Sequence, residues 1–432
     1  LVRKPIEVEE GKERVVIVGL FPKSDMLDDV MMDELEALCE TAGGEVVGRV
    51  IQRRDTIDPT YYVGGGKVEE VKQVVEENRA DVVVFNGDLA PAQARNLEEA
   101  LGARVVDRTE LILDIFARHA KSKQAKIQVE LAQLEYLLPR LRHRWTHLER
   151  ITGGIGLRGP GEKQLEEDKR AIRNRITELK REIKTIEKHR QRIVESRKHF
   201  QVCLVGYTNA GKTTLMNRLT GAQEYVSRKL FSTLDTRTRL WHLPDGKEVL
   251  LSDTVGFIRD IPHHLVASFQ ATLEEVISAD LLLHIVDASD PAAEIMIQTV
   301  ENVLKELHAE HIMRILLLNK VDNIKNMLEL TLLKRRMQDA LPISARTGEG
   351  LDRLSEMVSK AIEQNWRTVK ITVSAQDWET VAGIERWGRL IERHFRNEKV
   401  YYKVQLPLGF LSKIVKNDGV KVSFEFKKEE KG

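Results

Sequence analysis

The eight residues Gly206-Tyr207-Thr208-Asn209-Ala210-Gly211-Lys212-Thr213 follow a short apolar run, Gln201–Val205, and open a helical pattern carrying Leu215, Met216 and Leu219. A glycine-rich turn between a strand and a helix lets successive backbone N–H groups face an anion, and the helix N-terminus adds its positive dipole end. The pattern G-x-x-x-x-G-K-[ST] in this setting predicts a phosphate cradle, with Lys212 on the β- and γ-phosphates and the Thr213 hydroxyl on Mg²⁺. Further on, the strand pattern Leu250–Ser252 ends in Asp253-Thr254-Val255-Gly256. There Asp253 would hold Mg²⁺ through water, and the Gly256 N–H would sense the γ-phosphate. Between these motifs lies Phe231-Ser232-Thr233-Leu234-Asp235, with Thr233 placed to complete the Mg²⁺ shell.

The base has its own motif. Ile315–Leu318 leads into Asn319-Lys320-Val321-Asp322, and a carboxylate at Asp322 accepts hydrogen bonds from the N1–H and N2 amino groups of guanine. Adenine offers neither donor at those places. Ser344-Ala345-Arg346, at the end of another strand pattern, can present backbone N–H to guanine O6. The ordered set therefore predicts a site for GTP or GDP with Mg²⁺. No catalytic side chain is assigned. The position after Asp-x-x-Gly, where a Gln orients the attacking water in Ras-like enzymes, holds Phe257, which neither donates nor accepts. Lys212 and Thr233 are left to support the transition state, so slow intrinsic hydrolysis and activation by a partner are expected.

The elements that must position these loops divide the chain into four regions. Residues 1–108 alternate strand patterns (Val15–Leu20, Val46–Ile51, Asp81–Phe85, Arg104–Val106) with helical ones (Asp28–Thr41, Lys67–Asn78, Ala90–Leu101), which argues for βαβ units on a small parallel sheet. Residues 109–199 carry two apolar stripes, Leu131, Leu134, Leu138, Leu141, Trp145, Leu148 and Leu165, Ile172, Ile176, Leu179, Ile183, Ile186, Ile193. Their heptad-like spacing predicts an antiparallel helical hairpin, kinked or split at Pro139, with the Gly-rich segment Gly153–Glu162 at its tip. Residues 200–365 form the nucleotide domain, α/β and Ras-like. Residues 366–432 are expected to be a small α+β domain, with strands at Val369–Val373, Val400–Val404 and Val420–Phe426 and a helix over Trp378–Phe395.

Composition narrows the partners. From Thr109 to Phe200 there are 22 Lys and Arg against 13 Asp and Glu, while the whole chain carries a net charge of only +1. A basic block of this kind is a nucleic-acid surface or a solvated helical face laced with ion pairs. Arg140, Arg142, His143 and Arg144 crowd one segment of it. Two cysteines, Cys39 and Cys203, make neither a disulfide framework nor a zinc site and suit a reducing compartment. A cytoplasmic monomer is expected, at most loosely associated with a membrane, with no integral membrane segment and no DNA partner. His263-His264 is read as loop surface, with no metal role.

Two glycine clusters invite other readings. Gly154-x-Gly156-x-x-Gly159 fits a dinucleotide fingerprint, but a helical pattern precedes it where a strand is required. Tyr62-Val63-Gly64-Gly65-Gly66-Lys67 is either a tight turn or an anion nest, and the second reading leaves room for ATP at the N-terminal domain.

Taken together the motifs resemble the HflX family of GTPases. The resemblance rests on Gly206–Thr213, on Asp253-Thr254-Val255-Gly256-Phe257-Ile258-Arg259, and on Gly-Gly-Ile-Gly-Leu-Arg-Gly-Pro-Gly-Glu-Lys-Gln-Leu at 153–165. It extends to Val106–Phe116 and to Trp145-Thr146-His147-Leu148-Glu149-Arg150. Thr236 and Lys163 stand where the family often has Pro and Thr, and neither position is a proposed ligand. Membership implies a GTP-dependent factor that binds the large (50S) ribosomal subunit and its RNA and splits or rescues stalled ribosomes. Two alternatives stay open: a regulatory GTPase acting on another RNA or protein, and an ATP-dependent RNA-remodelling enzyme driven by the N-terminal domain.

Overall fold

The computed structural model describes residues 12–23, 28–144, 160–195, 199–222, 230–231, 236–259, 275–324, 339–407 and 420–424, with isolated positions at 331, 333, 335–337, 411 and 414. Along the chain run β1 (Arg14–Phe21), α1 (Asp28–Ala42), β2 (Glu45–Arg53), α2 (Gly65–Asn78), β3 (Val82–Phe85), α3 (Pro91–Leu101), β4 (Arg104–Val106) and α4 (Arg108–His119). The long helices α5 (Lys123–Arg144) and α6 (Pro160–Glu195) follow. Next come β5 (Phe200–Gly206), α7 (Lys212–Thr220), β6 (Arg237–His242), β7 (Glu248–Asp253), β8 (Leu281–Asp287), α8 (Ala293–Glu306), β9 (Met313–Asn319), β10 (Leu341–Pro342) and α9 (Leu351–Asn365). The chain closes with β11 (Trp366–Ser374), α10 (Trp378–Trp387), β12 (Arg389–Arg396), β13 (Lys399–Pro407) and β14 (Lys421–Phe424).

The first sheet has the order β2-β1-β3-β4, and every pairing in it is parallel. Its strands are apolar on both faces because helices cover both. Val15, Ile17, Val82 and Val84 meet Met32, Leu35 and Leu38 of α1 and Ile112 and Ile115 of α4. Val16, Val18, Val83 and Phe85 meet Val68 and Val71 of α2 and Leu97 of α3. The second sheet, β10-β9-β8-β5-β7-β6, is parallel except where β6 runs antiparallel to β7. Its strand ends carry the loops that the motifs occupy.

Between the two sheets, α5 and α6 pack through Ile127, Leu131 and Leu179, flanked by Leu134, Ile176, Ile183 and Ile186. Arg175 clamps Glu130 with two hydrogen bonds, 2.7 and 3.1 Å long. The expected split at Pro139 does not occur: α5 runs unbroken to Arg144, since Pro withholds one amide hydrogen bond while the side-chain packing of the neighbouring turns persists. Arg140 also departs from the charge count. It is partly buried, 3.0 Å from Asp107 and 2.8 Å from the Leu89 carbonyl, with its guanidinium 3.6 Å above the Tyr136 ring. This residue is a tie between α5 and the first sheet, so it leaves the candidate RNA surface. Trp145, residues 150–159 of the Gly-rich tip and His263-His264 lie outside the described residues, as do the side chains of Arg142, His143 and Arg144.

The C-terminal region is an antiparallel sheet of order β12-β13-β11-β14 under α10. The expected helix over Trp378–Phe395 is corrected here, because its second half is strand β12. Helix α10 stops at Gly388, where an added Cβ would lie 2.4 Å from the Val404 side chain. The turn Asn397-Glu398 then has both φ angles positive, 50° and 57°, the hairpin geometry that matches strand twist.

Candidate nucleotide site

The loop between β5 and α7 is built around close backbone approaches. A Cβ at Gly206 would lie 2.2 Å from the Ile285 carbonyl oxygen, and one at Gly211 (φ 99°) 2.3 Å from the Asn319 amide. Asn209 takes the left-handed conformation (φ 59°), and Gly211 caps α7 at its N-terminus. Asn319 is buried and acts as a strut. Its Nδ2 donates to the Ala210 carbonyl at 2.8 Å, and its Oδ1 accepts from the Ala345 N–H at 2.9 Å. One amide thus ties the phosphate loop to the loop carrying Ser344-Ala345-Arg346, where it engages the Ala345 N–H, one of the three that the sequence offered to guanine O6.

Lys212 is buried beneath this loop, its Nζ donating to the carbonyls of Gly206 (3.1 Å) and Tyr207 (2.8 Å). Burial depresses its pKa to about 8, against the opposing pull of Asp253. The Thr213 hydroxyl donates to Asp253 Oδ2 at 2.7 Å, which brings two of the three predicted Mg²⁺ residues to one point. Hydroxyl and carboxylate oxygens are the donors a hard divalent cation prefers beside phosphates. The Thr254 hydroxyl donates to the Leu204 carbonyl at 2.7 Å and fixes the start of the segment that leads to Gly256.

Phe257 faces the interior. It is 2% exposed and packs with Cys203, Val205, Val276 and Val300. Its backbone is bonded to the phosphate loop on both sides, Phe257 N–H to the Gly206 carbonyl (3.1 Å) and Thr208 N–H to the Phe257 carbonyl (2.8 Å). A Cβ on neighbouring Gly256 would lie 3.1 Å from Lys212 Nζ, so Gly256 stands beside the lysine that the sequence places on the phosphates.

At the base end, Asp322 Oδ1 accepts from the Ser344 hydroxyl at 2.6 Å, and Arg346 pairs with its other oxygen. Partial burial works to raise its pKa, but these bonds outweigh it and hold the carboxyl below the ordinary range. Lys320 (φ 62°) turns away to Asp287, 2.6 Å distant, and Val321 opens a short 3₁₀ turn that presents Asp322. In the intervening segment only Phe231 is described, buried edge-on against Phe116 of α4 with ring centroids 4.7 Å apart. Ser232, Thr233, Leu234 and Asp235 lie outside the described residues.

Sequence reasoning missed a second layer. The Tyr207 hydroxyl, inside the phosphate loop, donates to Glu34 of α1 and accepts from the Arg259 N–H at 2.9 Å. Arg108, at the start of α4, pairs with Glu34 and donates to the Arg259 carbonyl at 3.2 Å. Leu230, Phe231, Val255 and Ile258 share one apolar core with α1 and α4. Asp107 caps α4 by accepting from the Glu110 N–H at 2.9 Å, and this sets Arg108 at the start of the helix. The Gly64–Lys67 cluster opens α2: Gly64 is its N-cap and donates its N–H to Gln52 at 2.8 Å, and Lys67 pairs with Glu70 at 2.6 Å.

A mostly parallel sheet with this phosphate loop, this acidic strand end and this aspartate at the base defines a P-loop GTPase. Three family models match consecutive stretches: a GTP-binding GTPase N-terminal region over residues 29–117, a GTP-binding GTPase middle region over 119–197, and a 50S ribosome-binding GTPase over 201–320. The chain is 44% identical over 403 residues to "GTPase HflX" of Caldanaerobacter subterraneus subsp. tengcongensis, covering 93% of this chain and 92% of that protein. It is 43% identical over 358 residues to "GTPase HflX" of Escherichia coli, covering 82% and 84%. A GTP-binding protein from Sulfolobus solfataricus, solved with GDP, aligns at 25% identity over 81% of this chain and 99% of its own, with a TM-score of 0.43. The chain belongs to the HflX family of GTPases.

Proposed function

We propose that this GTPase is a ribosome-acting factor that binds the large subunit in its GTP form and splits or rescues stalled ribosomes. Phe257 is the observation that carries the reading. With that side chain buried in the core, nothing at this position orients a water, and a partner must complete the catalytic site. Lys212 is assigned to the β- and γ-phosphates, the Gly256 N–H to the γ-phosphate, and Asp322 to guanine, with Asn319 as a positioning residue. Thr213, Thr233 and, through water, Asp253 are assigned to Mg²⁺, which would neutralise charge developing on the β- and γ-oxygens.

The partner is taken to be ribosomal RNA because the nucleotide domain is joined to a long basic helical region, and because the matched family model is described as 50S ribosome-binding. ATP at the N-terminal domain lacks comparable support, since the Gly64 and Lys67 donors are already engaged. Light scattering from intact ribosomes tests the reading. Scattering should fall when protein and GTP are added together, and hold steady with GDP or with Lys212→Ala. No fall with GTP would remove the splitting activity from the account.

A further inference from the structure

We propose that the open face of the C-terminal sheet is an RNA-binding surface, which grips phosphates with lysines and stacks an unpaired base on Tyr401. One face of this sheet is closed: Val369, Ile371, Val373, Val400, Tyr402, Val404 and Leu406 pack with Ile384 of α10. Residues directly opposite in an antiparallel pair share a face, so the register defines what the other side presents.

Three adjacent rows carry most of its charge, with a further row at Thr368 and Gln405 beyond them. Arg396, Lys399 and Ser374 form the first; His394, Tyr401, Thr372 and Lys421 the second; Glu392, Lys403, Lys370 and Ser423 the third. Successive rows lie about 7 Å apart and neighbouring strands about 5 Å apart. These rows hold five cationic side chains, Arg396, Lys399, Lys403, Lys370 and Lys421, against the single carboxylate of Glu392. Lys370 and Lys403 stand directly opposite one another on adjacent strands, so their stems leave the sheet side by side. Tyr401, 39% exposed, lies in the central row between His394 and Thr372.

Charge complementarity selects a polyphosphate backbone, and an accessible aromatic ring on a flat sheet is the geometry on which unpaired bases stack. An acidic protein would match the basic charge of this face but would leave the exposed Tyr401 ring without a stacking partner. The choice of ribosomal RNA rests on the proposed ribosome-acting function; the surface itself rests on the register.

The full-length protein is tested on two probes, protein-free large-subunit RNA and intact large subunits. Lys370→Gln/Lys403→Gln/Lys421→Gln should weaken binding to the free RNA about ten-fold at ~0.1 M salt. It should also flatten the dependence of log K on log salt by about 2, at roughly 0.7 per lost phosphate contact. The matching triple Arg variant should bind like wild type, and Tyr401→Ala should lose roughly ten-fold. Unchanged GDP affinity in every variant shows that the rest of the chain is folded. Ultraviolet cross-linking to intact subunits should place a nucleotide on the peptide containing Tyr401.

Binding to free RNA within two-fold of wild type in all variants overturns the proposal, as does a cross-link from this face to a ribosomal protein. If the variants lose free-RNA binding while the wild type ignores intact subunits, the surface stands and the ribosome reading falls.

Discussion

Glu34 of α1 accepts a hydrogen bond from the Tyr207 hydroxyl, and Tyr207 is the second residue of the phosphate loop. Burial raises the Tyr207 pKa, which keeps the phenol protonated and donating. Arg108 pairs with the same carboxylate, and both partners are nearly buried, with side chains 8% and 11% exposed. The first sheet is therefore fastened to the phosphate loop and, through Arg259, to the segment after Gly256.

Removing one member should be costly in proportion to what it leaves unpaired. Tyr207→Phe keeps the ring and leaves Glu34 with Arg108, so a loss of about 1 kcal/mol is expected. Arg108→Ala strands a buried carboxylate and should cost about 3 kcal/mol. Chemical denaturation of the two variants checks the ranking, and equal losses would contradict it.

Phe257→Gln should not restore a self-sufficient enzyme. The side chain points into a packed core, so an amide there is buried without an assured partner and should cost about 1–3 kcal/mol. Intrinsic GTP turnover should change less than about three-fold. A ten-fold rise in single-turnover hydrolysis would show that position 257 reaches the nucleotide.

The pH dependence of GTP binding should report Lys212. Its folded pKa of about 8 lies below the unfolded value of 10.5, so between those values the unfolded chain carries more of this proton. Its contribution to folding stability thus rises with pH across that window. Triphosphate binding restores the charge, so GTP affinity should fall as pH rises above about 8, by up to ten-fold per unit. Lys212→Ala should bind more weakly and lose this dependence, as measured by fluorescent-nucleotide titration between pH 7 and 9. The same slope in both proteins would place the titration elsewhere.

Asp322→Asn should exchange guanine for xanthine. The carboxylate is fixed by Ser344 and Arg346, so the substitution changes its hydrogen-bonding character while keeping its place. Loss of two charge-assisted hydrogen bonds predicts a fall in GTP affinity of roughly a hundred-fold or more, with a gain for xanthosine triphosphate. Unchanged preference in a competition titration would remove Asp322 from the base site.

Much of the site was legible because its chemistry is local. Gly206–Thr213, Asp253–Gly256 and Asn319–Asp322 each sit at a strand end, and the alternation of apolar runs set that sheet and the first one. What was hidden depends on partners distant in sequence. Nothing near Glu34 announces Tyr207, which lies 173 residues away. The charge of Arg140 was counted as surface, because a count of charges does not reveal that Asp107 pairs with it and that the Leu89 carbonyl accepts from it. Arg389–Arg396 reads as helix, being charged on all sides without alternation. Only the stop at Gly388 and the hairpin pairing with β13 make it a strand.

The central claim is a GTPase completed by the ribosome. Turnover of GTP by the purified protein, measured with and without large ribosomal subunits, tests it most directly. The account predicts slow hydrolysis alone and a rise of at least ten-fold with subunits, abolished by Lys212→Ala. Equal rates with and without subunits would contradict it.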